Sequence, residues 1–150
     1  MKKVLKMSVL LLATAFFASC SSDDDGNSIS GNLEAKWTPT KTVYKVGGQS
    51  SSETYQDNEP GCDKDYLQFL ADGTVKNAVY YKNASNVCTE DSATDGNWAK
   101  DGSSLIITNS SEYDGEYTIR KLNGSELQVQ TTQTIAGVAA TVTLYFQKVE

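Results

Sequence analysis

Histidine is absent from the 150-residue chain, so its chemistry must come from carboxylates, hydroxyls, phenols and three cysteines. Without imidazole neither a Ser-His-Asp nor a Cys-His arrangement can be built. A zinc site with a His ligand is excluded on the same ground. Carboxylates are plentiful: Glu53, Asp57, Glu59, Asp63 and Asp65 form one acidic stretch, with Glu90, Asp91 and Asp95 further on. Calcium takes six to eight oxygens, and paired carboxylates can hydrolyse glycosides. These acids do not follow an Asp-x-Asp-x-Asp loop with a closing Glu. They fall mainly in turns and loops, where a tight hairpin or solvated charge explains them. The expectation is a protein with no metal, no cofactor and no catalytic residue, and not an enzyme.

The start of the chain, Met1 to Lys6, is cationic, and Met7 to Ser19 is apolar. That run is shorter than the roughly 20 residues a helix needs to cross a bilayer. It fits the apolar centre of a secretory signal. Phe17-Ala18-Ser19-Cys20 resembles a lipobox, the cleavage and lipidation site of bacterial lipoproteins, with Phe17 where Leu is usual. The resemblance implies that residues 1–19 are removed and that Cys20 is the lipid attachment site. Several acyl chains would then anchor it, at roughly 0.8 kcal/mol per buried methylene. Residues 20–32 are expected to be a flexible acidic tether. Within it Ser22-Asp23-Asp24-Asp25 resembles the acidic signal that sends lipoproteins of Bacteroidota-type bacteria to the cell surface. An outer-membrane lipoprotein exposed at the cell surface is expected, with a periplasm-facing anchor as the alternative.

Loss of Lys2, Lys3 and Lys6 with the signal takes the formal charge from −6 to −9, and Arg120 is the only arginine. Such an acidic surface argues against nucleic acid and anionic headgroups as partners. With Cys20 committed, Cys62 and Cys88 remain in an oxidising compartment, where a disulfide is the natural outcome. It would close a loop of roughly 27 residues, worth roughly 3.6 kcal/mol in the chain-entropy picture. A reactive thiol pair would want Cys-x-x-Cys spacing or basic neighbours, whereas Asp63, Asp65, Glu90 and Asp91 surround these two.

The ordered domain is expected over 33–150. Asp72-Gly73, Asp101-Gly102, Asp114-Gly115 and Asn123-Gly124 are dipeptides suited to type I′ hairpins, and Ala136-Gly137 is a weaker fifth. Between them lie β-type runs, from Trp37–Val46 to Thr141–Lys148. Leu127 and Val129 alternate with polar residues, as do Val142, Leu144 and Phe146, which marks strands with one face buried. No helical periodicity is sustained. About eight strands in consecutive hairpins would close into an up-and-down barrel, filled or holding one small ligand. The segment Gly47–Gly61 reads as a long polar loop at one end of it, able to act as a lid.

The order of short motifs resembles the lipocalin-like domains of small Bacteroidota lipoproteins. The resemblance rests on Leu33-Glu34-Ala35-Lys36-Trp37, Phe69-Leu70-Ala71-Asp72-Gly73-Thr74, Gly96-Asn97-Trp98, Tyr117-Thr118-Ile119 and the closing Leu144-Tyr145-Phe146-Gln147-Lys148-Val149. It departs at Ala35-Lys36-Trp37, where such domains carry Gly-x-Trp. It implies an all-β, antiparallel, eight-stranded lipocalin-like barrel. Fold-level likeness alone gives no ligand.

If Tyr44 points inward, Thr40 and Thr42 do too, and a polar inward face favours a partly hydrated interior. With them, Phe69, Tyr81, Trp98, Tyr117 and Phe146 are the candidate ligand-lining residues, although aromatic residues also dominate small cores. Two readings stay open. One is a monomeric, membrane-anchored barrel that binds a small apolar or amphipathic ligand. The other is a filled barrel whose surface binds an envelope or host protein. Asp91-Ser92-Ala93 also resembles the short O-glycosylation site of the same bacterial group.

Overall fold

The computed structural model describes residues 28–149; the expected signal, Cys20 and tether residues 21–27 lie outside the described residues. Nine strands and no helix are formed among the described residues: β1 Lys36–Val46, β2 Gln49–Thr54, β3 Tyr66–Phe69, β4 Thr74–Lys82, β5 Cys88–Asp101, β6 Ser104–Thr108, β7 Gly115–Leu122, β8 Glu126–Ile135 and β9 Val138–Lys148. From β3 to β9 each strand pairs antiparallel with the next, and β1 joins β9 to β3. The result is a closed, antiparallel, eight-stranded barrel, with β2 as an extra strand beside the upper half of β1. Closure removes the exposed edges that a flat meander would carry. It is narrow at one seam, where β1 meets β3 through Lys36↔Gln68 and Trp37↔Leu67.

The stretch expected to be a polar loop, Gly47–Gly61, is therefore half strand. Gly47 and Gly48 have φ of +54° and +85°, as both centre residues of a type I′ turn require. They return the chain along β1 from Val46↔Gln49 to Lys41↔Thr54. Every residue of β2 is exposed, so no apolar alternation marks it and backbone pairing alone forms it. Ala136-Gly137, at +51° and +81°, makes the same turn between β8 and β9. Asp114-Gly115 makes no tight hairpin. The β6–β7 connection occupies 109–114 and is held from across the barrel wall by the Asp95 carboxylate, which accepts from the hydroxyls of Ser110 and Ser111 and from the Ser111 N–H.

The strands divide the barrel into two halves. The turns β3–β4, β5–β6 and β7–β8 lie at one end, together with the start of β1 and the end of β9. There the inward faces are aliphatic and aromatic: Trp37, Phe69, Leu105, Ile119, Leu127 and Phe146 pack into one buried cluster. Trp37 is fully buried, and its Nε1–H donates to Leu33 O at 2.9 Å. This end is a plug. Residues 28–31 are docked on it: Leu122 donates its N–H to Ser28 O and accepts from the N–H groups of Ser30 and Gly31. The tether expected over 20–32 is thus fixed from residue 28 onward. The physical reason is that β6 pairs with β7 only as far as Ser104↔Thr118, which leaves the outer backbone groups of Leu122 in need of partners.

Gly96 sits where β5 bends past the end of β6. Its φ is +118°, and a Cβ there would lie 2.3 Å from the carbonyl oxygen of Thr108. Both backbone strain and overlap oppose a side chain. Gly96→Ala is expected to cost at least ~2 kcal/mol, read as a lower urea midpoint with an unchanged slope.

Candidate functional site

At the other end, the inward face of each strand changes character. Along β8 Leu127 and Val129 give way to Thr131 and Gln133. Along β1 Trp37 and Pro39 give way to Thr42 and Tyr44, and on β7 Ile119 gives way to Tyr117. Here the side chains no longer meet across the barrel. They leave a cup of about 220 Å³, open to solvent above and floored by Phe146 and Leu144. A cavity of about 150 Å³ holds benzene, so this one takes a single ring with a short substituent, or one end of a longer molecule.

Four of the eight candidate lining residues border the cup: Thr42, Tyr44, Tyr117 and Phe146. Phe69 and Trp98 lie in the plug below, in edge-to-face contact at 5.6 Å, with Trp98 Nε1–H donating to Leu70 O. Thr40 is the residue of a β-bulge between Pro39 and Lys41, and its hydroxyl donates to Tyr145 O. The bulge moves it out of the inward alternation that Thr42 and Tyr44 continue, so it does not border the cup. Tyr81 is 44% exposed on the upper part of β4, beyond the cup wall. Among the bordering residues that were not candidates are Tyr55, Glu112, Tyr113 and Thr131. Thr131 continues the visible alternation of β8. The other three are in connections, where no periodicity announces which way a side chain turns.

Tyr55 is brought in by the connection 55–65, which covers the gap above the short strand β3. Asp65 holds this connection in place and is only 2% exposed. Its carboxylate accepts from the Tyr80 N–H at 2.7 Å and from the Tyr55 hydroxyl at 2.8 Å. Its carbonyl accepts from Thr38 Oγ1, and its own N–H donates to Asn58 Oδ1. The side chain thereby substitutes for the strand that β4 would otherwise need beyond Ala78. The Cys62–Cys88 disulfide pins the middle of the connection to the start of β5, with Cα atoms 5.5 Å apart. Lys82 Nζ adds a hydrogen bond to Pro60 O.

Tyr113 sits in the β6–β7 connection with its ring 6.1 Å from that of Phe146. Its carbonyl accepts from the Tyr117 hydroxyl at 3.0 Å. Burial, reinforced by the charge of Glu112, raises the Tyr113 phenol well above the usual range. Burial and the hydrogen bond to Asp65 do the same for Tyr55, and burial followed by the charge of Asp114 raises Tyr117. On the outer wall Tyr80 is pushed up to about 12, chiefly by its hydrogen bond to Glu90.

Four carboxyls are shifted the other way. Hydrogen bonds from Tyr80 and Tyr66 lower Glu90, Lys121 and Gln128 lower Glu126, and Thr74 lowers Asp72. Burial opposes ionisation of Asp95, but the bonds from Ser110 and Ser111 outweigh it and the net shift is downward. Carboxyls lowered by folding stabilise above about pH 4 and lose that contribution as pH falls through their folded values. Phenols raised by folding stabilise below about pH 10 and lose it as pH rises through theirs. With no histidine to titrate between, the melting temperature is expected to be flat from about pH 6 to 9 and to fall on both sides. A pH series of thermal melts checks this; a step near pH 6.5 would contradict it.

Residues 33–129 match the family described as lipocalin-like domain. The chain belongs to this family. No curated protein matches its sequence. Among solved structures, the lipocalin-like domain is similar to a deswapped triple mutant of bovine odorant-binding protein, with 18% identity over 78% of this chain and 74% of that one and a TM-score of 0.39. It is similar also to bovine odorant-binding protein in complex with a selenium-containing odorant, with 18% identity over 82% and 76% and a TM-score of 0.40.

Proposed function

We propose that this lipocalin-like protein is a non-enzymatic, membrane-anchored binding module that holds a small amphipathic molecule in its cup. The observation that carries the reading is the division of the barrel: a filled lower half gives rigidity, and a hollow upper half lined by phenols and hydroxyls opens to solvent. Apolar floor and polar walls suit a ligand with one apolar and one polar end.

In this reading Cys20 carries the lipid, in the outer membrane and on the cell-surface side. The chain enters the barrel at its plugged end, where Ser28 and Gly31 are fixed to Leu122. Residues 21–27 span at most ~25 Å when extended. An anchor at Cys20 therefore keeps the plug toward the membrane and turns the cup away from it.

Native mass spectrometry of the protein, purified without detergent, tests the ligand. A non-covalent adduct that vanishes on denaturation is expected. An empty protein that also fails to take up an apolar fluorescent probe would defeat the reading.

A second reading is a surface interaction protein. It is favoured by exposed apolar side chains at the open rim: Val79, Tyr81 and Val87 around the β4–β5 hairpin, with Ile135 and Val138 at the β8–β9 turn. In that case filling the cup would leave partner binding unchanged.

A further inference from the structure

Resting on the reading of the cup as a ligand site, we propose that its occupant is a small organic cation: an amine or quaternary ammonium that carries an aromatic or short alkyl group. The walls are rich in aromatic side chains, with Tyr44, Tyr55, Tyr113, Tyr117 and Tyr145 beside Phe146. Ring faces are the negative ends of aromatic quadrupoles and attract ammonium groups. Glu112 is the carboxylate that borders the cup, and Asn77 Nδ2–H donates to its Oε2 at 3.1 Å, which holds it at the rim. Thr42, Thr131 and Gln133 add neutral acceptors.

The protein's own cation at this wall already has partners. Lys41 borders the cup, and its Nζ lies over the Tyr145 ring at 4.3 Å and close enough to Glu126 to stabilise that carboxylate. Further acids stand behind the ring of phenols: Asp65 is bonded to Tyr55, and Asp57 and Asp114 act on Tyr55 and Tyr117 through their charge. An anionic ligand would meet the Glu112 carboxylate with the wrong sign. A neutral ligand would leave it without a counter-charge. An ammonium end at Glu112 with its apolar end on Phe146 and Leu144 satisfies walls, rim and floor together.

The test is a calorimetric titration of the purified protein with three probes that share a single phenyl ring: phenethylamine, its alcohol analogue 2-phenylethanol, and 3-phenylpropionate. The amine is expected to bind at least ~10-fold more tightly than the alcohol, with the acid weakest. Glu112→Gln is expected to weaken the amine about tenfold and to leave the alcohol unchanged. Glu112 is exposed in a connection, so the variant should melt as the parent does. Equal affinity for amine and alcohol, or an equal loss of both in Glu112→Gln, would overturn the proposal and leave the cup as a site for uncharged amphipaths. Binding of none of the three would overturn it too; whether the apolar probe enters then decides if the site reading survives.

Discussion

Trp37→Ala is expected to lower the unfolding free energy by about 3–5 kcal/mol, the largest effect of any single change in the protein. Trp37 is fully buried at the centre of the plug, and deleting its ring leaves a cavity that the closed barrel cannot collapse into. The same side chain joins the two ends of the domain. Its Nε1–H holds Leu33 O, and its backbone pairs with both Leu67 of β3 and Lys148 of β9. Domains of this size are stable by about 5–15 kcal/mol in all, so a loss of that order brings the variant close to unfolding. Trp37→Phe keeps most of the volume and removes the donor, and is expected to cost about 1–2 kcal/mol. Urea unfolding of both variants checks the ranking; a Trp37→Ala loss below about 1.5 kcal/mol would mean the plug is not the stabilising centre.

Removal of the Cys62–Cys88 disulfide is expected to cost about 3.6 kcal/mol at most, from the entropy regained by the unfolded chain. The effect in the folded state should be local. The bond ties the 55–65 connection to β5, while Asp65 keeps its hydrogen bonds to Tyr80 and Tyr55. A Cys62→Ser/Cys88→Ser double variant should therefore keep its barrel and show faster amide exchange over residues 56–64 only. Exchange that quickens through β4 and β9 as well would show that the disulfide holds the barrel itself. Because Asp65 still holds Tyr55 at the cup wall, the same variant is expected to bind as the parent does.

Much of the barrel was legible because its strands are amphipathic. The alternation of Leu127 and Val129, and of Val142, Leu144 and Phe146, placed β8 and β9 with the correct face inward. Where a strand buries nothing, the pattern is silent. β2 reads as a loop because Gln49–Thr54 presents no apolar residue, although Gly47-Gly48 is itself a hairpin dipeptide. Residues 88–96 form the first part of β5 despite a turn-like composition, since pairing with β4 from Lys82↔Cys88 to Lys76↔Thr94 supplies what propensity does not.

The site was legible in the same measure. Thr42, Tyr44, Tyr117 and Phe146 follow from alternation along strands. Thr40 was misplaced because a bulge after Pro39 shifts the register by one residue, which reverses every inward assignment before it relative to those after. Asp65 and Glu112 carried no signal as individuals among many acids. Their roles depend on a short β3 that leaves the Tyr80 N–H unpaired, and on an Asn77 amide that meets Glu112 from another strand. Such contacts are properties of the closed barrel and not of any local stretch.

The central claim is that the lower half of the barrel is plug and the upper half is binding space. Thr131→Trp tests it most directly. Thr131 faces into the cup opposite Val142, so an indole placed there fills the open space without entering the plug. In a titration with an apolar fluorescent probe, the variant is expected to melt at the parent temperature and to bind at least ~10-fold more weakly. Unchanged affinity in a protein of unchanged stability would place the binding surface outside the cup and contradict the account.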